Sequence, residues 1–256
     1  MTEIQKFMMA TFVRVRAGVG IIGICFPFVL WGIGGLRYHL PLAGSMSAYY
    51  HATSECMDPT SKGTCSTLVC TDPTTCATPA GMGPMRNWFV GILFIMGACL
   101  YLIHGFSIWE KIFLNLAGIF AVMVALNPMP WVFGKATGFP MHYASAMSFF
   151  AMVACVCLFC SGKTLRYFPD CPNREKIIER YKWAYRLLGV SMLLSPFTAG
   201  IFDDVTKQSS TTFWKEAFGI IAFGIYWLLK TEELDRSGVE RRAMRGEIEI
   251  DPKRLL

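Results

Sequence analysis

The sequence predicts an all-α polytopic membrane protein: a bundle of six transmembrane helices, both termini cytoplasmic, with a disulfide-rich outer loop. Three observations predict it. Charged residues are 16% of the chain and hydrophobic residues 54%, whereas soluble domains carry about 25% charged residues. The apolar residues fall in continuous blocks of roughly membrane-spanning length, not at amphipathic spacing. The basic residues are sorted between alternate segments joining those blocks. A soluble protein with an unusually apolar core would not show all three together.

The first block runs from about Val15 to Leu36, after Lys6, Arg14 and Arg16. It is long enough to span, and no convincing small-residue cleavage site follows, so it reads as a helix and not as a signal peptide. Gly18, Gly20, Gly23 and Pro27 are tolerated inside it, because neighbouring helices approach closely or re-satisfy a kinked backbone. A long polar loop follows, residues 37–85. The second block covers about Trp88 to Ile103. After a short turn holding Glu110 and Lys111, the third covers about Ile112 to Leu126. Asn127-Pro128-Met129-Pro130 ends it, since proline removes a backbone donor and restricts the residue before it. The fourth is about Met141 to Cys160, the fifth about Trp183 to Ile201 and the sixth about Thr212 to Leu229. Residues 1–230 thus form the membrane domain, and 231–256 a charged cytoplasmic tail.

Charge sets the orientation. With the N-terminus inside, the inner segments hold Lys6, Arg14, Arg16, Lys111, Lys163, Arg166, Arg174, Lys176, Arg180, Lys182, Arg186, Lys230, Arg236, Arg241, Arg242, Arg245, Lys253 and Arg254. The outer segments hold Arg37, Lys62, Arg86, Lys135, Lys207 and Lys215. That threefold bias expects both termini in the cytoplasm. The cysteines agree. Cys56, Cys65, Cys70 and Cys76 lie in the first loop, outside by this topology. Four cysteines in a Thr/Pro/Ser-rich outer loop read as two disulfides in an oxidising compartment, with three connectivities open. They lack the CxxC pair of a zinc site. Cys25, Cys99, Cys155, Cys157 and Cys160 lie in spans and read as small apolar fillers.

The topology brings distant polar residues to one membrane level. Ser47, Tyr50 and His51 follow the first span; Arg86 and Asn87 open the second; His142 opens the fourth; Asp203 and Asp204 end the fifth; Lys215 and Glu216 open the sixth. Ionisable groups at such depth pair, line a cavity or carry function. The pair expected is Arg86 with Glu216 or Asp203. The bland alternative is that these residues anchor helix ends at the headgroups, with Trp88, Trp131 and Trp214 as an aromatic belt. A functional pocket has three uses. Ser47 and His51, at i and i+4, would share a helical face, and histidines with a carboxylate would hold zinc for hydrolysis; yet the chain has 4 histidines, none within helical reach of His51 or His142. Arg86 would be a fork donor to a lipid headgroup or small anion. Or the cluster is a polar clamp for a partner subunit.

The inner segments are simpler. Asn173 to Arg180 alternates charge at helical spacing and reads as a solvated helix leading into the fifth span. His104 reads as a helix-end polar residue. Arg241, Arg242 and Arg245 suit anionic lipid. No phosphate-binding glycine loop occurs, and nothing points to nucleic acid.

Ser47-Ala48-Tyr49-Tyr50-His51, Arg86-Asn87-Trp88-Phe89-Val90-Gly91-Ile92-Leu93, Asn115-Leu116-Ala117-Gly118, His142-Tyr143-Ala144-Ser145-Ala146, Trp214-Lys215-Glu216 and Phe223-Gly224-Ile225-Tyr226-Trp227-Leu228-Leu229-Lys230 are the distinctive motifs. Together they resemble a family of uncharacterised bacterial six-span membrane proteins over about residues 20–230. The resemblance implies six spans in a bacterial inner membrane and draws attention to Arg86, His142 and Glu216; it implies no activity. Relatives often carry Arg-Asp where this chain has Arg86-Asn87, which weakens a role needing a carboxylate there. Ser47 to Thr53 is also faintly similar to the serine–histidine motif of ceramidase and progestin-receptor-like membrane hydrolases. That likeness would make His51 a zinc ligand and Ser47 a catalytic-site polar group, but their paired-histidine motif has no counterpart, since Ala146 stands four residues after His142.

The expected function is a binding or accessory membrane component, in contact with lipid and, through the outer loop, with other membrane subunits; no cofactor is expected. The alternatives are a zinc-dependent hydrolase of lipid amides, with His51 and His142 as ligands, and a small-solute transporter. The transporter would call for matched broken helices, which the sequence does not show.

Overall fold

The computed structural model describes residues 2–40, 42–50, 52, 83–127, 141–206 and 211–249, and among them every regular element is helical. Six long helices carry the fold: α1 (Glu3–Tyr38), α2 (Arg86–Leu102), α3 (Ile108–Leu126), α4 (Met141–Cys155), α5 (Arg174–Thr206) and α6 (Thr211–Ser237). A short helix, α7 (Val239–Met244), follows α6. The chain leaves α4 through a π-helical turn, Val156–Cys160, and a 3-10 turn, Ser161–Tyr167. Another 3-10 turn, Ser47–Tyr50, lies between α1 and α2.

The first, third, fifth and sixth apolar blocks of the sequence lie within α1, α3, α5 and α6; the second overruns α2 by one residue, and the fourth runs through α4 and the π-helical turn. Glu3–Tyr38, Ile108–Leu126 and the continuous helical run Met141–Tyr167 are long and apolar enough to cross a membrane, and α2 is a shorter apolar helix. Many large apolar side chains stay exposed around the bundle, among them Ile21, Phe28, Trp31, Ile95, Ile119, Leu187 and Phe218. A water-soluble bundle would bury such residues; lipid tails solvate them.

The helix ends follow local chemistry. Thr2 caps α1 with a capping box: its Oγ1 accepts the Gln5 N–H at 3.3 Å, and Gln5 Oε1 accepts the Thr2 N–H at 2.9 Å. The helix therefore begins at Glu3, well before the apolar block. It stops where His39 turns left-handed (φ 54°) and donates its N–H to Gly34 O. Ser107 caps α3 by accepting the Glu110 N–H at 3.2 Å.

The six helices close into a ring. Each packs on the next in sequence, and α6 returns to α1. Two seams are backbone-close. A Cβ on Gly224 would come within 2.5 Å of Gly20 O, joining α6 to α1; a Cβ on Gly118 would come within 2.6 Å of Gly97 O, joining α3 to α2. Gly20 and Gly23 thus serve the close approach expected of them, while Gly18 faces open space. Gly224→Val should cost about 1–3 kcal/mol through overpacking; Gly18→Ala should be nearly silent. Thermal unfolding in detergent checks both.

α6 continues to Ser237, and Gly238, with φ 61°, turns the chain into α7. α7 folds back: Glu240 receives both Arg16 Nη atoms, at 2.5 and 2.8 Å, and Met244 O accepts from Gln5 Nε2 at 3.3 Å. Arg242 donates to Tyr167 O. Arg241, Arg242 and Arg245 therefore sit on a docked segment, with Arg242 turned toward protein.

Candidate functional site

One end of the ring gathers the residues singled out in the sequence. The segment before the first loop packs inward: Ala43, Met46, Ser47, Ala48, Tyr49 and Tyr50 are all buried. It folds as a 3-10 turn because Ser45 Oγ accepts the Ala48 N–H at 3.1 Å, while Ser45 O and Met46 O accept from Ala48 N and Tyr49 N at 3.3 Å. Three separate parts of the chain then hold it. Glu216, half-buried on α6, accepts the Met46 N–H at 2.6 Å. Gly44 O accepts the Phe213 N–H at 2.8 Å. Ser47 Oγ lies 2.8 Å from His142 Nε2 at the start of α4.

His142 is 2% exposed, and its other ring nitrogen, Nδ1, lies 2.7 Å from Asn127 O. A carbonyl only accepts, so Nδ1 carries a proton; in a neutral imidazole Nε2 then accepts from the Ser47 hydroxyl. The imidazole ties Asn127, which caps α3, the first turn of α4 and the 42–50 segment together. Tyr49 lies beneath, its OH 3.5 Å from Ala43 N. Burial pushes the Tyr49 phenol above its ordinary value, and the Ala43 N–H opposes that shift.

The structure thus brings together Ser47 with His142, and Glu216 with the backbone of Met46. It does not pair Arg86 with Glu216. Arg86 is exposed at the start of α2, with its guanidinium 5.2 Å from the Tyr50 ring centre, in cation–π geometry. Glu216 is instead turned toward the Met46 N–H, which it accepts through Oε2. Asn87 is exposed. Asp203 falls near the end of α5, and the expectation for its side chain lies outside the described residues. So does His51, and so do the expected disulfides of Cys56, Cys65, Cys70 and Cys76. Among the described residues, no group of three histidine, cysteine or acidic side chains is arranged to hold a metal ion. Zinc on His142 would have to displace either Ser47 or Asn127 O.

The opposite end holds a second cluster that the sequence reading missed. Lys230 and Glu233, 2% and 0% exposed, form an ion pair at 2.5 Å one turn apart on α6. The Lys230 ammonium also donates to Thr164 Oγ1 at 2.6 Å and Ser161 O at 3.0 Å. Thr164 donates on to Glu233, 2.9 and 3.1 Å from its two oxygens, and Tyr185 OH donates to Glu233 Oε2 at 3.1 Å. Ser161 Oγ is 2.9 Å from Tyr226 OH. Glu110, 5% exposed, stands close enough to interact with both Lys230 and Glu233. The π-helical turn lies beside this cluster, and such turns are frequent at functional sites. The Lys230–Glu233 spacing was visible in the sequence, but it read as the start of a solvated tail.

The comparisons with known proteins place no relative beside these sites: no family model, no curated protein and no solved structure matches the chain.

Proposed function

We propose that this is a six-span bacterial inner-membrane protein, both termini cytoplasmic, that acts as a binding or accessory component of a larger membrane assembly. The observation that carries the reading is the fixed 42–50 segment. Ser47, Met46 and Gly44 are held by α4 and α6, so the chain enters the first loop from a rigid platform. Glu216 and His142 both bond to that segment. Arg86 beside it is exposed and fork-shaped, suited to a lipid phosphate or a partner carboxylate. The sorting of basic residues supports the orientation, and the four loop cysteines support a stapled outer loop as the partner surface. Membrane lipids are the constant partner; no cofactor is invoked.

The test is purification in mild detergent from the native membrane. A defined partner should be retained by the wild type. It should be lost when residues 53–82 are replaced by a short Gly-Ser linker, and also after reduction. Isolation of the protein alone, with the loop dispensable, sinks the reading.

One observation favours a second reading. A buried serine hydroxyl donating to a histidine, whose other nitrogen is held by a carbonyl, is the arrangement that activates an acyl-transfer nucleophile. It favours a lipid hydrolase working through Ser47 rather than through zinc on His51 and His142. Covalent labelling of Ser47 by a fluorophosphonate, absent in Ser47→Ala, would put the hydrolase first.

A further inference from the structure

We propose that the cluster at the Lys230 end of the bundle is a proton-binding site, in which Glu110 holds a proton exchangeable with the solvent at that end, opposite a fixed Lys230–Glu233 ion pair. The formal charges do not cancel: two buried carboxyls face one buried ammonium. The donors decide which carboxyl is the anion. The ammonium has three N–H groups, and they are used on Glu233, Thr164 and Ser161 O. Glu233 in addition takes the Thr164 and Tyr185 hydroxyls. It is a carboxylate with three donors. Glu110 receives backbone N–H groups, that of Phe106 at 2.9 Å and, more weakly, that of Ser107. It gains no bond from the ammonium and lies near the Glu233 charge. A buried carboxyl in that position neutralises by taking a proton.

Among the described residues, no basic side chain forms an ion pair with Glu110. The π-helical turn brings the thiols of Cys157 and Cys160, and α6 brings the Tyr226 hydroxyl, all electrically neutral when protonated. Lys163, on the next turn, acts on Cys160. On α5, Tyr185 is committed to Glu233. Lys111 and His104, flanking Glu110 in sequence, are exposed.

Glu110 also occupies the third helical position after the Ser107 cap, where a glutamate commonly reaches back to close a capping box. That role places an oxygen on the Ser107 N–H, with the Phe106 N–H at 2.9 Å as a second donor, and a protonated acid keeps both. It does not require burial. Here Gly105 packs so closely that a Cβ would come within 2.8 Å of Glu110 Cβ and Cγ, which directs the side chain into the bundle. The turn with exposed His104 lies next to it, so the route to solvent is short. On release, the Glu110 O–H bond breaks, the oxygen keeps the electron pair, and the proton passes to water.

Infrared spectroscopy of the full-length protein in detergent tests this, with a pH series in H2O and D2O. Near neutral pH, the wild type should show the carbonyl stretch of a protonated carboxylic acid, shifted in D2O. The band should fade reversibly as pH rises, and it should be lost in Glu110→Gln. No such band, a band indifferent to pH, or a band that survives Glu110→Gln overturns the proposal. If Glu110→Gln folds poorly, Lys230→Met gives a second readout. With the ammonium gone, Glu233 must also take a proton, and the band area should about double. An unchanged area overturns the proposal as well.

Discussion

Lys230→Met should lower the thermal midpoint by about 10 °C. Methionine matches the lysine stem in length and shape, so packing is kept and the charge alone is removed. Glu233, 0% exposed, then has no ammonium. It must either stay buried as an unpaired anion or take up a proton. Breaking a buried ion pair by removing one partner costs about 3–5 kcal/mol. Protonating a carboxyl with an ordinary value near 4.3 at neutral pH costs about 3.7 kcal/mol, so the second route caps the first. For a chain of this size each kcal/mol is worth about 2–4 °C.

The sign of the pH dependence follows. In Lys230→Met the folded state binds a proton at Glu233 that the unfolded chain releases at neutral pH. Stability therefore falls as pH rises and recovers as pH is lowered toward the ordinary carboxylate range. The wild type, whose Glu233 keeps its ammonium partner, should lack this recovery. Replacing both partners, Lys230→Met with Glu233→Leu, should regain most of the loss, because no charge is left buried. It should not regain all of it: the Tyr185 hydroxyl and one Thr164 bond lose their acceptor. Thermal unfolding of the three variants over a pH series checks the ordering. Equal losses in the single and double variants would refute the account.

The residues of this cluster explain why it was illegible in the sequence. A lysine at the end of an apolar run has two fates. It can snorkel to the headgroups or turn inward to a partner. Position alone does not separate them. Glu233, one turn on, was a legible partner, but Thr164, Ser161 and Tyr185 come from distant parts of the chain and carry no mark. The apolar blocks were legible because twenty or so consecutive apolar residues admit few structures other than a helix. Helix starts were less so. α1 begins at Glu3 because Thr2 and Gln5 cap it, while the hydropathy pattern begins later. At the other end of the bundle, placing Ser47, His142 and Glu216 at one level was within reach of topology. The contacts among them were not. Glu216 went to a backbone N–H, since the inward-folded 42–50 segment brings unpaired donors that a helix bundle must satisfy. Arg86, at the rim, was left to Tyr50.

His142→Phe is the second large effect, and it tests the platform itself. Phenylalanine fills most of the imidazole space but offers neither nitrogen. A buried group and a half-buried one then lose their partner: the Ser47 hydroxyl and the carbonyl of Asn127, which caps α3. Each unpaired polar group costs about 1–3 kcal/mol, so the expected loss is about 2–5 kcal/mol and the midpoint should fall by about 10 °C. Ser47→Ala removes one bond and leaves Nε2 unpaired, for a loss of about 1–2 kcal/mol. In the double variant the lost Ser47 bond is counted once, so the two losses should not add; a coupling of about 0.5–3 kcal/mol is the range for residues in contact. Asn127 O is unaffected by Ser47→Ala, and His142→Phe should therefore remain the worse of the two even with Ser47 absent. If the 42–50 segment is the platform for the loop, His142→Phe should also weaken partner retention with the loop intact, in parallel with the stability loss. Strict additivity of the two variants would mean that the imidazole and the hydroxyl do not act on each other, and the three-way tie between α3, α4 and the 42–50 segment would have to be abandoned.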